Sequence, residues 1–486
     1  MIYNSTRNNN LTANSAEAVL KGIADDGGLF MIKDFGALNF DYKKLMGLPT
    51  IKMSQEILHT LLDDFSSEDM QKMVEKAYVG KFTTDELTPT VKVSNFFVTE
   101  LFHGPTSAFK DVALSVLPQL MAGAKKLLGR REETVILTAT SGDTGKAALE
   151  GFANAEGIRI IVFFPNEGVS AVQKAQMVTQ TGENVCVCAI NGNFDDAQTG
   201  VKNAFAAFNQ KENKKVCLSS ANSINIGRLA PQLVYYFKAY SDLLEKGEIT
   251  LGEKINFVVP TGNFGNILAG YFAKCLGLPI NKLVCASNAN NVLTDFLTTG
   301  VYDRRRTFYK TVSPSMDILV SSNLERLLYL LSGGNDNEVA AYMKDLNEKG
   351  FYKVSDSLLA KIKETFVAGN TTDSETLKTI KEVYENDGYL CDTHTAVAVK
   401  VLKDTKLDGK SVVLSTASPY KFPTSVLTAL GETPNQDEFL ALEQLNKLTG
   451  IEIPKRLAEL KNAAVLHKTV IEKNELIDFV FSKTEE

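Results

Sequence analysis

The chain has no tryptophan, four histidines and six cysteines in 486 residues. His59, His103, His394 and His467 are dispersed and form no metal-binding spacing. Cys186, Cys188, Cys217, Cys275, Cys285 and Cys391 include no pair at zinc-ligand spacing. That pattern excludes a zinc-ribbon type of site and fits the reduced thiols of a cytoplasmic protein. No run of about 18 apolar residues occurs, so no membrane-spanning helix is expected. The N-terminal MIYNSTRNNNLT lacks the apolar centre of a signal peptide. A large excess of charge of either sign is missing too. A net charge of -6 disfavours nucleic acid or an anionic membrane as the main partner. What is present is the composition of a soluble globular protein, 44% hydrophobic and 23% charged. The length exceeds one ordinary core and predicts two or three domains.

Short β-rich apolar runs alternate with small-residue turns and helical patterns. Thr134–Thr140 leads through Ser141-Gly142-Asp143-Thr144-Gly145 into a helical pattern over 146–153. Ile158–Phe164 precedes a helix over 171–180, and Val185–Ala189 precedes one over 196–209. Ile255–Val259 leads through Gly262-Asn263-Phe264-Gly265-Asn266 into a helix over 267–275. This alternation predicts an α/β fold with open, mostly parallel sheets covered by helices. The expected organisation is an N-terminal region over 1–95, a smaller α/β lobe over 131–219, and a larger lobe of 96–130 with 220–486. The stretch from about 296 to 390 and the tail after about 431 carry little readable pattern.

One stretch organises the rest: His103-Gly104-Pro105-Thr106-Ser107-Ala108-Phe109-Lys110-Asp111. Thr106 or Ser107 can cap a helix running through Val112, Val116, Leu120 and Ala124. Lys110 falls in its first turn, with Leu114, Leu117 and Met121 at helical spacing. Desolvation and the positive end of the helix dipole both favour a neutral, nucleophilic amine there. A Schiff-base lysine needs that setting; a lysine snorkelling to water is the plainer alternative. The glycine turn 262–266 can aim backbone N–H groups at a phosphate, or can be glycine-rich for sterics alone. The turn 141–145 is a second cup or an ordinary helix start. Ser223, Asn225 and Arg228 form a polar cluster able to fork onto an oxyanion, or a loop knitted by its own hydrogen bonds. Thr416 ends a strand at a sharp turn, as a cap or as a neutral hydroxyl facing a heteroaromatic nitrogen.

Taken together, HGPTSAFKD, TATSGDTGKAAL, NSINIGRLAPQ, VPTGNFGNILAGYFAK, SPSMDILVSSNLERL and STASPYKFP resemble the threonine synthase family, in its long bacterial and fungal branch. The resemblance spans most of the chain and implies a fold type II enzyme using pyridoxal 5'-phosphate. By it, Lys110 bonds to the cofactor, Asp143 lies near its 3-hydroxyl, and Gly262, Asn263, Phe264, Gly265 and Asn266 hold its phosphate. Thr416 faces the pyridine nitrogen. Ser141, Thr144, Ser223, Asn225 and Arg228 hold the substrate, O-phospho-L-homoserine, which reacts with water to give L-threonine and phosphate. The resemblance implies no metal, and a monomer or homodimer. A β-elimination or β-replacement enzyme of the same fold acting on serine or its esters is the competing activity, and a non-catalytic phosphate-binding regulator that kept the fold is the alternative of another class.

Overall fold

The structure, a computed structural model, describes residues 1–140, 142–167, 169–209 and 216–485. Its larger sheet runs Phe366–Asn370, Ile280–Ser287, Ile255–Pro260, Ser411–Ser415, Phe96–Glu100, Thr90–Val93. All neighbours are parallel except the last two strands, which form an antiparallel hairpin. Every residue of Ile255–Pro260 and of Ser411–Ser415 is buried, as in a parallel sheet covered on both faces. Alternate side chains take opposite faces. Phe257, Val259, Val412 and Leu414 join the main core, while Val98, Val258 and Val413 pack with Val397, Ala398 and Val401.

The smaller sheet runs Thr469–Glu472, Val185–Asn191, Ile158–Pro165, Glu133–Ala139, Val216–Ser219, all parallel. A third, antiparallel sheet joins Asn8–Asn14, Ile2–Ser5 and Phe30–Ile32. No helix among the described residues is long and apolar enough to cross a membrane.

Two expected boundaries shift. Thr90–Val93 belongs to the edge of the larger sheet rather than to the N-terminal region, because it pairs with Phe96–Glu100 across a two-residue turn. The tail, expected in the larger lobe as part of 220–486, lies instead on the smaller sheet. Thr469–Glu472 adds an edge strand, and Leu476 and Val480 bury against the core under Phe194–Asn209. The single helix expected after Lys110 is two, Lys110–Leu114 and Leu117–Leu127. Pro118 lies in the first turn of the second, where its missing N–H costs nothing, and it could not continue the first.

Candidate active site

Three neighbouring parallel strands of the larger sheet end at one edge. Ile255–Pro260 feeds the 262–266 turn, Ser411–Ser415 ends at Thr416, and Phe96–Glu100 feeds the loop to Lys110. Carboxyl ends of parallel strands are where such folds build sites. The latter two loops are tied to each other. Leu101 N–H donates to the Ser415 carbonyl (2.9 Å), Phe109 N–H to Thr416 (2.8 Å), and Ser418 N–H to Ser107 (3.1 Å). Gly104 is required by packing, since a Cβ there would stand 2.4 Å from the Asp111 Cβ. The expected cap by Thr106 or Ser107 is absent. Ser107 adopts a left-handed φ of 58°, and the Thr106 hydroxyl donates to Asp111 Oδ1 (2.7 Å) while its N–H donates to Oδ2 (2.8 Å). Burial pushes Asp111 up to about 6, against those two bonds.

Lys110 opens its helix with no hydrogen bond or ion pair to any described residue; Phe109's ring centroid lies 5.8 Å from Nζ. Burial lowers its pKa to about 8; Asp143 opposes the fall, Arg228 and Lys421 add to it, and Asp111 opposes it weakly. Asp143 begins the helix Asp143–Phe152 of the smaller lobe. Burial would raise its pKa, but the Lys421 ammonium, 2.8 Å from Oδ1, and the field of Lys110 hold it well below the usual carboxylate range. Gln173 Nε2 also donates to Oδ1 (3.0 Å), and Ser315 Oγ to Oδ2 (3.3 Å). Thr140 satisfies the start of this helix: its Oγ1 accepts from the N–H groups of Gly142 (3.0 Å) and Gly145 (2.9 Å).

The 262–266 turn is built for close approach. Phe264, at φ 64°, turns the chain into the helix Gly265–Cys275. The N–H groups of residues 262–266 donate to no described group, so the positive end of the helix presents free donors. Asn266 is occupied internally, donating to the Pro260 carbonyl (2.8 Å) and accepting from Ile267 N–H (2.9 Å). Asn323 Nδ2 donates to the carbonyls of Asn263 (3.1 Å) and Ser223 (3.2 Å), which binds the two candidate anion loops together. Buried Arg326 fixes Asn323 and the Ile224 carbonyl, at 2.6 Å each.

Arg228 is 3% exposed, and burial lowers its pKa to about 10. Nη1 donates to the Ala221 carbonyl (2.5 Å), Nε has no partner, and no described carboxylate pairs with it. Asn225 has other work: Oδ1 accepts from Gly227 N–H (2.9 Å) and Nδ2 donates to Val19 (2.9 Å). The hydroxyls of Ser223, Thr144 and Thr416 make no hydrogen bond to described residues. Ser141 lies outside the described residues. The structure thus places Lys110 in the fields of both Asp143 and Arg228 and links the 223–228 and 262–266 loops. Sequence reasoning missed Lys421, Ser315, Asn323 and Arg326, although the SPSMD, SSNLER and STASPYK blocks contain them.

The pattern described as "Threonine synthase N terminus" matches residues 2–78, "Pyridoxal-phosphate dependent enzyme" matches 82–357, and "Threonine synthase, C-terminal" matches 395–471. Threonine synthase of Pseudomonas aeruginosa is 38% identical over 91% of this chain and 93% of its own. Threonine synthase-like 1 of Homo sapiens is 40% identical over 85% of this chain, which spans 58% of that relative's length. The crystal structure of PLP-bound threonine synthase from Brucella melitensis superimposes with a TM-score of 0.88 at 37% identity, covering 100% of both chains. The chain therefore belongs to the threonine synthase family of pyridoxal-phosphate-dependent enzymes.

Proposed function

We propose that this chain converts O-phospho-L-homoserine and water to L-threonine and phosphate, using pyridoxal 5'-phosphate. One observation carries the reading: Lys110, an amine paired with no described residue, lies in the field of Arg228, a buried guanidinium with an orphaned Nε. A pyridoxal enzyme with a phosphorylated substrate needs both: the amine to bond the cofactor, and a cation to seat a second phosphate besides the cofactor's. The chain fits the cofactor. Free backbone donors at 262–266 suit its phosphate, and a Cβ at Gly262 would come 2.9 Å from the Ser315 carbonyl, so only glycine keeps that cup open. Lys110 would bond to its aldehyde carbon, Asp143 would neighbour its 3-hydroxyl, and the unpartnered Thr416 hydroxyl would face its ring nitrogen.

When bound, the cofactor supplies an electron sink. The chain's residues do the rest. Lys110, once free, holds and moves the protons at the substrate α and β carbons. Its lowered pKa leaves an appreciable amine fraction near neutral pH. Arg228 and Ser223 neutralise charge as phosphate leaves the γ carbon, where a preorganised donor acts most strongly. Thr144, with Ser141, would complete the substrate's contacts; Asn225 acts by shaping the Arg228 loop.

The mild net charge and the absence of zinc-ligand cysteine spacing support a cytoplasmic enzyme acting on a small molecule rather than on nucleic acid, as a monomer or homodimer. As working domains we take 90–130 with 220–468 and 131–219 with 469–485, beside the N-terminal region. The cofactor-loaded protein, given O-phospho-L-homoserine, should form threonine and phosphate in equal amounts. Serine deamination without threonine formation would replace this reading with the serine-directed one.

A further inference from the structure

We propose that Lys421 is a positioning residue of this reaction: from the larger lobe it holds the Asp143 carboxylate of the smaller lobe, and thereby keeps Lys110 from being captured in an ion pair. The inference rests on the proposed function for its catalytic meaning.

Lys421 ends the short turn Pro419–Lys421, just past Thr416, and is 1% exposed. A buried ammonium has three N–H donors to satisfy. All three are used: Asp143 Oδ1 at 2.8 Å, Gln176 Oε1 at 2.8 Å and the Thr106 carbonyl at 3.1 Å. Asp143 and Gln176 lie on two helices of the smaller lobe, and Thr106 lies on the loop that delivers Lys110. One side chain thus ties both helices to the reactive loop.

Asp143 would otherwise be a fully buried carboxylate needing a cation. The charged groups acting on Lys110 are Asp143, Asp111, Arg228 and Lys421. After Lys421, Lys110 is the cation that most strongly favours ionised Asp143. Removing Lys421 leaves Lys110 as the replacement partner. Lys110 would then lose a repulsion and gain an attraction, both of which retain its proton. A base held as an ammonium cannot take a proton from substrate.

The test compares wild type, Lys421→Met and the double variant Asp143→Asn with Lys421→Met, all cofactor-loaded. The kcat profile reports groups that ionise in the enzyme–substrate complex, where Lys110 is free. In Lys421→Met its acid limb should move up by about one pH unit, which lowers kcat on that limb about tenfold. The pH midpoint of the bound cofactor's absorbance should differ from wild type, and the Tm should fall. The double variant, with neither charge, should recover Tm and move the limb back toward wild type. If Lys421→Met does not fold, recovery of folding and cofactor loading in the double variant supports the proposal. A limb and an absorbance midpoint that stay in place in Lys421→Met, or a double variant no more stable than the single one, would overturn it. The absorbance and Tm measurements need no substrate. A wild type that makes no threonine would therefore sink the proposed function while leaving the Lys421 coupling decidable.

Discussion

Arg228 sets function against stability. Its guanidinium is 3% exposed, has no carboxylate partner among the described residues, and leaves Nε unsatisfied. Burial lowers its pKa from 12.5 to about 10, a difference of about 3 kcal/mol against the charged form. The cost is present throughout neutral pH, because the group stays charged below its folded value. Arg228→Met removes that cost, fills much of the same volume, and gives up the bond to Ala221, worth about 1 kcal/mol. The ligand-free variant should therefore be about 2 kcal/mol more stable, with Tm a few degrees higher. Its kcat/KM for phosphohomoserine should fall roughly 30- to 1,000-fold, the worth of a buried charged contact of about 2–4 kcal/mol. The assays are thermal unfolding without ligand, and unfolding of the cofactor-loaded proteins, whose 262–266 cup is then filled, with and without inorganic phosphate. Phosphate should raise the Tm of wild type and leave the variant unmoved. A variant less stable than wild type that turns over normally would refute the reasoning.

Further outcomes follow from other residues. Asp111 has a pKa raised by burial to about 6 from 3.8, so its contribution to stability is complete below 3.8 and lost as pH rises through 6. The Tm of wild type relative to Asp111→Asn should accordingly fall between pH 4 and 6 and then level off; a constant difference would mean Asp111 titrates normally. At Gly151, a Cβ would come 2.0 Å from the Leu114 carbonyl, and backbone cannot yield as a side chain can. Gly151→Ala should force the Asp143 helix off the Lys110 helix at a cost of about 1–3 kcal/mol, lowering Tm and cofactor content together. Thr416→Val keeps shape and loses only a hydroxyl with no described partner. Stability measured by unfolding should change by less than about 1 kcal/mol while cofactor affinity drops about fivefold to tenfold; unchanged affinity would move Thr416 away from the cofactor.

The strands and their turns were legible because each is a buried β-rich run ended by small residues, as in Ile255–Pro260 before the 262–266 turn. Lys110 was legible because its helix neighbours are apolar. The polar framework was not, because its partners lie far apart in sequence. Lys421 reaches Asp143 and Thr106 across 278 and 315 residues, and Arg326 reaches Phe30 across 296. No local spacing encodes such contacts. Asn225 reads as a ligand-binding amide until its cap to Gly227 and its bond to Val19 are seen. The edge strand Thr469–Glu472 is largely exposed, so it carries no hydrophobic alternation by which to recognise it.

The central claim is that Lys110 is the amine that bonds to the cofactor. Among the described residues four buried lysines, Lys125, Lys146, Lys238 and Lys421, compete with half-buried Lys110 for that role. Lys125 is held by the Glu132 and Gly157 carbonyls, Lys146 by Glu150 (3.2 Å) and Gln180, Lys238 by Glu86 and Asp242, and Lys421 by Asp143, Gln176 and Thr106, whereas Lys110 pairs with no described residue. Borohydride reduction of the cofactor-loaded protein, followed by proteolysis and mass spectrometry of the labelled peptide, reads the attachment site directly. The account predicts one pyridoxyl group per chain, on Lys110 and absent from Lys110→Ala; label on any other lysine would contradict it.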